Sequence, residues 1–119
     1  MDCRTVLVVG NTWEPCIAVA SRVLQGWRYS VCFAASGLAL YERVAPIRPA
    51  FILMDSHLAD ISVFRAIDLL RVHNLNMPVV VLWEERAPRP VSSGVTFVAK
   101  SSFRSSNVAL ERKLQGLLG

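Results

Sequence analysis

The chain has 119 residues, 53% of them hydrophobic, enough for one domain with a proper core and too few for two ordinary ones. No apolar run approaches the roughly 18 residues a membrane-spanning helix needs, and Met1 to Arg4 lead straight into a strand-like run without the parts of a secretory signal. The formal net charge is +4, but its arginines are scattered singly, with no basic run or aromatic-interleaved stripe, so direct nucleic-acid binding and membrane insertion are not expected. A cytoplasmic location is the expectation. Three cysteines, Cys3, Cys16 and Cys32, form an odd set without CxxC spacing or a nearby histidine pattern, which indicates neither a disulfide framework nor a zinc site. They are expected to be reduced, with Cys32 packed in the core.

In chain order, Thr5 to Val9 is the first expected strand. A helix follows over Glu14 to Leu24, with Ile17, Ala20 and Leu24 at helical spacing and Gly26 placed to end it. Tyr29 to Ala34 is the second strand, and Gly37 to Val44 the second helix, which Pro46 and Pro49 are expected to break. Ala50 to Met54 is the third strand, Val63 to His73 the third helix and Val79 to Trp83 the fourth strand. From Glu84 to Gly94 the chain contains Pro88 and Pro90 and is too short for more than a turn or so of helix, so a loop is expected. Thr96 to Ala99 is the fifth strand; a last helix over Ser105 to Leu118 opens with Ser105, Ser106 and Asn107 as capping residues. Continuous Val, Ile, Leu and Phe in the strands favours a parallel sheet covered on both faces. The expected fold is a doubly wound (βα)5 sandwich with right-handed crossovers and the fourth helix shortened or missing.

Asp55 closes the third apolar run. A carboxylate at that end of a strand points to the edge where open α/β sheets bind ligands. A helix or turn cap after the strand is the less favoured reading of the same residue. The order Val6-Leu7-Val8-Val9, Asp55 ending the third strand, Pro78-Val79-Val80-Val81-Leu82, and Gly94-Val95-Thr96-Phe97-Val98-Ala99-Lys100 resembles the receiver domain of two-component response regulators, over nearly the whole chain. The resemblance implies that Asp55 stands at the phosphoacceptor position and Lys100 at the position that pairs with the phosphoryl charge. It also implies a histidine kinase or other signalling protein as partner, with a homodimer as a further option; since the sequence stops at Gly119 directly after the last expected helix, a single receiver-like domain over residues 1–119 with no output domain is the expectation.

The chemistry explains why those groups need company. A carboxylate attacks a dianionic phosphate only when a hard cation screens the repulsion, and magnesium binds through carboxylates and water. In the family two acids after the first strand hold that ion; here the positions carry Gly10 and Asn11. Asn11 and Asp55 would form at best a weak Mg²⁺ site. Trp83 stands where the family has Ser or Thr, followed by Glu84, so bulk and charge both oppose a phosphoryl group. Phe97 occupies the aromatic switch position and reads equally as a core aromatic; Ser101 replaces the usual proline. Trp13 would lie beside Trp83 as an apolar patch suited to a partner.

Asp55, His57, Asp60 and Glu84 converging on a transition metal is the less favoured arrangement, His57 reading first as a solvated loop residue. No Gly-x-Ser-x-Gly elbow, Walker sequence or Gly-x-Gly-x-x-Gly occurs, so no enzyme is expected. The sequence therefore predicts an atypical receiver that acts as a pseudo-receiver through protein–protein interaction, with weak or no phosphorylation. The alternative is a flavodoxin-like small-ligand or redox-binding domain, for which Gly10-Asn11-Thr12-Trp13 makes a poor phosphate loop.

Overall fold

The structure is a computed structural model that describes residues 4–11, 13–73, 75–84 and 94–100, together with Arg112 and Gln115. The elements run β1 (Thr5–Val9), α1 (Pro15–Gly26), β2 (Ser30–Ala34), α2 (Gly37–Ile47), β3 (Phe51–Asp55), α3 (Val63–Val72), β4 (Val79–Trp83) and β5 (Val95–Ala99). The five strands form one parallel sheet in the order β2-β1-β3-β4-β5. This is the expected doubly wound arrangement with β3 at its centre. The expectation for Glu84 to Gly94 falls mostly outside the described residues, as does the Ser105 to Leu118 helix apart from Arg112 and Gln115, which are helical and exposed.

Strand alternation divides the core in two. Val6 and Val8 of β1, with Phe51, Leu53, Val80 and Leu82, pack against Ile17, Ala20 and Leu24 of α1. Leu7 and Val9, with Ile52, Met54, Val79 and Val81, face the other way onto Leu40 and Val44 of α2 and Val63, Ile67 and Leu70 of α3. The period of two along each strand thus meets an apolar helix stripe on each side. Every residue of β3 is buried, whereas the edge strand β2 is mostly half-buried or exposed. Cys32 lies in that edge strand and is half-buried, and Cys16 of α1 is the buried thiol; burial follows sheet position, which the apolar run around Cys32 does not reveal.

Helix ends depart from the sequence expectation where local breakers are overridden. Gly26 is the last residue of α1 rather than its terminator, and Trp27 caps the helix. Helix α2 continues through Pro46 to Ile47 and ends on Arg48 in the left-handed conformation, at φ 49°. Proline removes the bond to the carbonyl of Glu42, but both residues are exposed one turn from the end, so water can take the freed carbonyl. β3 extends one residue further than its apolar run, so Asp55 is the last residue of the strand itself.

Asp60 has a structural task. Its Oδ1 accepts from the N–H groups of Gly37 and Ile61 at 2.9 Å each, and Oδ2 accepts from Leu38 N–H at 3.0 Å, so the β3–α3 connection caps α2 across 23 residues of sequence. The bond from Leu38 is the largest influence; desolvation opposes it, and with the added bonds from Gly37 and Ile61 the carboxyl is held below the ordinary value of 3.8. A depressed folded pKa stabilises above the unfolded value and ceases to do so as pH falls through the folded one. Asp60→Ala is therefore expected to lower Tm at neutral pH and to matter progressively less in melts taken well below the ordinary value of 3.8. An equal loss at both pH values would show that the carboxylate charge is not what the helix end uses.

Candidate functional site

Four connections deliver side chains to the carboxyl edge of the sheet. Gly10 follows β1 and Asp55 ends the adjacent β3, so the two lie side by side. Gly10 has φ +136° and donates its N–H to Ala34 O at 2.9 Å; a Cβ built on it would come 2.9 Å from the Cβ of Asp55. The close approach of two backbones next to Asp55 is thus what glycine supplies here. Glu14, the N-cap of α1, accepts from Ile17 N–H at 2.9 Å through Oε2, ahead of Pro15 at the first helical turn. Glu84 follows β4, and Lys100 follows β5.

Lys100 gathers these carboxylates. Strands lie about 4.8 Å apart, so its long side chain must cross above β4 to reach β3. Its ammonium lies 2.7 Å from Asp55 Oδ1, 3.1 Å from Glu84 Oε1 and 3.7 Å from Glu14 Oε1, with the Lys100 side chain 2% exposed and that of Asp55 5%. The Glu84 contact is a directed hydrogen bond. The shorter contact with Asp55 is a buried ion pair. Burial opposes the charge on Lys100, but the Asp55 and Glu84 contacts and the fields of Asp55 and Glu14 prevail, and its pKa lies above that of an ordinary lysine.

The structure therefore brings together Asp55 and Lys100, as the sequence pairs them, and adds Glu14. The signal for Glu14 was available: an acid five residues beyond the end of the first strand, directly before the Pro that starts the next helix, belongs to the same sheet edge. Asn11 is at that edge but its Oδ1 accepts from Trp13 N–H at 2.9 Å, closing a short turn. Trp83 and Phe97 meet each other edge to face with ring centroids 5.7 Å apart, and Phe64 joins both at 5.8 and 6.2 Å. Trp83 and Phe97 thus pack on the α2–α3 side of the core, in keeping with an aromatic packing role for Phe97. Trp13 belongs to a different group from Trp83. It is 87% exposed and lines an open cleft of about 490 Å³ with Gly10, Phe33, Arg43 and Ala59.

The residues do not fit a magnesium ion. Position 10 has no side chain, the Asn11 oxygen is engaged by Trp13, Glu14 spends one oxygen on its helix, and Asp55 faces an ammonium. Among the described residues no set of three or more His, Cys, Asp or Glu is arranged to hold a metal. The transition-metal arrangement also fails geometrically, since Asp60 caps α2. His57 lies 3.1 Å from Ser56 Oγ and 3.6 Å from Glu84 and is largely exposed. His73 bonds with the Tyr41 hydroxyl at 3.0 Å and ties α3 to α2.

No family model and no curated protein sequence matches the chain. The fold nonetheless has clear counterparts. It is similar to the chemotaxis response regulator CheY4 of Vibrio cholerae at TM-score 0.80 and 20% identity, over 98% of this chain and 99% of that one. A response regulator receiver domain protein from Bacillus halodurans gives TM-score 0.79 at 17% identity, over 98% and 97%. The receiver domain of the hybrid histidine kinase CckA gives 0.70 at 23%, over 97% and 99%. Among the described residues no helix is long and apolar enough to cross a membrane. The chain has the CheY-like fold of response regulator receiver domains, with Asp55 and Lys100 paired at the carboxyl edge of its sheet.

Proposed function

We propose that this chain is a receiver-fold module of two-component signalling that works through protein–protein contact, with Asp55 weakly phosphorylated or not at all. The observation that carries this reading is the sharing of one buried ammonium by Asp55, Glu84 and Glu14. In a phosphorylating receiver the lysine charge must meet the incoming phosphoryl group, and a divalent cation must screen the rest. Here Lys100 is already bonded to Glu84, and an arriving dianion would meet three carboxylates without a cation site to offset them. Trp13, exposed beside Phe33 at the same edge, suits recognition of a signalling protein, a histidine kinase or another.

The test is incubation of the protein with acetyl phosphate and Mg²⁺, followed by intact-mass spectrometry. The expected result is no acyl-phosphate adduct above that of Asp55→Asn, while a typical receiver treated in parallel is labelled. Stoichiometric labelling lost in Asp55→Asn would restore the phosphorelay reading.

A further inference from the structure

A second group of side chains lies at the opposite end of the sheet, where the strands begin. Arg4 directly precedes β1, and its carbonyl accepts from Ser30 N–H at 2.8 Å, which pins it beside the start of β2. Trp27, Arg28 and Tyr29 form the turn between α1 and β2. Bonds from Trp27 N–H to Val23 and Leu24 carbonyls, from Arg28 N–H to Gln25 O and from Tyr29 N–H to Leu24 O hold that turn rigid. Tyr29 stands edge-on to Phe51 at 5.6 Å and 86°, and both Tyr29 and Trp27 pack on the α1 side of the core. These four residues line a cavity of about 290 Å³.

Two features distinguish this cavity from an ordinary surface dent. Both Arg4 and Arg28 line it, and among the described residues neither has a carboxylate at ion-pair distance, so their forked donors are open to an anion there. Arg28 is also held at φ +67°, a conformation that favours glycine, so its side chain is presented from a strained backbone position. Arg48 shares that conformation and is not part of this cavity's lining. A cation that merely complements the carboxyl end of α1 would need one guanidinium and no aromatic walls.

We propose that the cavity binds a nucleoside monophosphate, its phosphate between Arg4 and Arg28 and its base against the ring of Trp27 or Tyr29. Two guanidiniums match a dianionic phosphate, and a half-buried indole or phenol offers the face on which a base stacks. The volume sits near the lower end of the roughly 300–1,000 Å³ of small-molecule sites, which limits the occupant to one base and one anionic group.

The test is a titration of the isotope-labelled full chain with AMP, inorganic phosphate and adenosine, followed by the Trp27 indole and Arg4, Arg28 and Tyr29 amide signals. AMP is expected to give saturable shifts there, with phosphate and adenosine each about tenfold weaker, the worth of the missing stack or charged bonds. Arg28→Gly keeps the left-handed turn without strain, and Arg4→Gln keeps the strand; each is expected to weaken AMP about tenfold. Asp55→Asn should leave AMP binding unchanged. The proposal is overturned by a flat titration, by phosphate binding as tightly as AMP, by shifts centred on Gly10 and Asp55, or by unchanged affinity in both arginine variants.

Discussion

Lys100→Met is expected to cost about 3–5 kcal/mol of folding stability, because it strips the cation from a site where Asp55 is buried and two further carboxylates stand close. The loss is asymmetric. Asp55→Asn leaves Lys100 still bonded to Glu84 and near Glu14, and it removes one of three mutually repelling charges, so its cost should stay within about 2 kcal/mol. Urea unfolding of the two variants checks the ordering. A larger cost for Asp55→Asn than for Lys100→Met would mean that the aspartate, not the ammonium, organises the edge. The pH dependence follows from the direction of the lysine shift. A folded pKa above the ordinary 10.5 means that the stabilisation is complete below that value and is lost as pH rises through the folded one. The wild-type stability should therefore fall on the alkaline side above about 10.5, a fall that Lys100→Met abolishes.

Gly10→Ala carries the second large effect. At φ +136° an L side chain is strained, and the added Cβ would meet the Cβ of Asp55 at 2.9 Å, backed by the buried central strand, which cannot retreat. Strain and overpacking of this kind each cost roughly 1–3 kcal/mol, so a loss of about 2–6 kcal/mol is expected. The same geometry means that restoring an acid at position 10 would not rebuild a metal site on this backbone: Gly10→Asp should be at least as destabilising as Gly10→Ala. Thermal and urea unfolding of both variants check this, and a Gly10→Asp protein of wild-type stability would contradict it.

Much of the fold could be read from the residues. The strands of the sheet interior declare themselves as continuous apolar runs because both faces of β1, β3 and β4 are covered. The helices on its two sides follow from the spacing of Ile17, Ala20 and Leu24 and of Val63, Ile67 and Leu70. What escaped was set by distant contacts. Besides these, Pro46 and Gly26 look like breakers locally, yet a proline with its freed carbonyl in solvent is tolerated in a last turn, and α1 takes in Gly26 before its cap at Trp27. Edge and centre strands look alike in sequence, so the run around Cys32 does not show that its thiol packs against the core from a half-buried edge position. At the site, Asp55 and Lys100 were paired through the resemblance, whereas Glu14 reads locally as a helix start and Asp60 as a loop acid. Their roles depend on folding that brings Glu14 to Lys100 and Asp60 to the head of α2.

Lys100 and its three carboxylates fill the carboxyl edge of the sheet around Asp55, and the proposed function requires that neither a cation nor a phosphoryl mimic bind there. The most direct measurement is an amide NMR titration with Mg²⁺ and then beryllofluoride, following Gly10, Asp55, Ser56 and Lys100. The expected result is a folded spectrum with no saturable shift at these positions at any Mg²⁺ concentration, with or without beryllofluoride. Saturable, Mg²⁺-dependent shifts that vanish in Asp55→Asn would contradict it and make the chain a working phosphoacceptor.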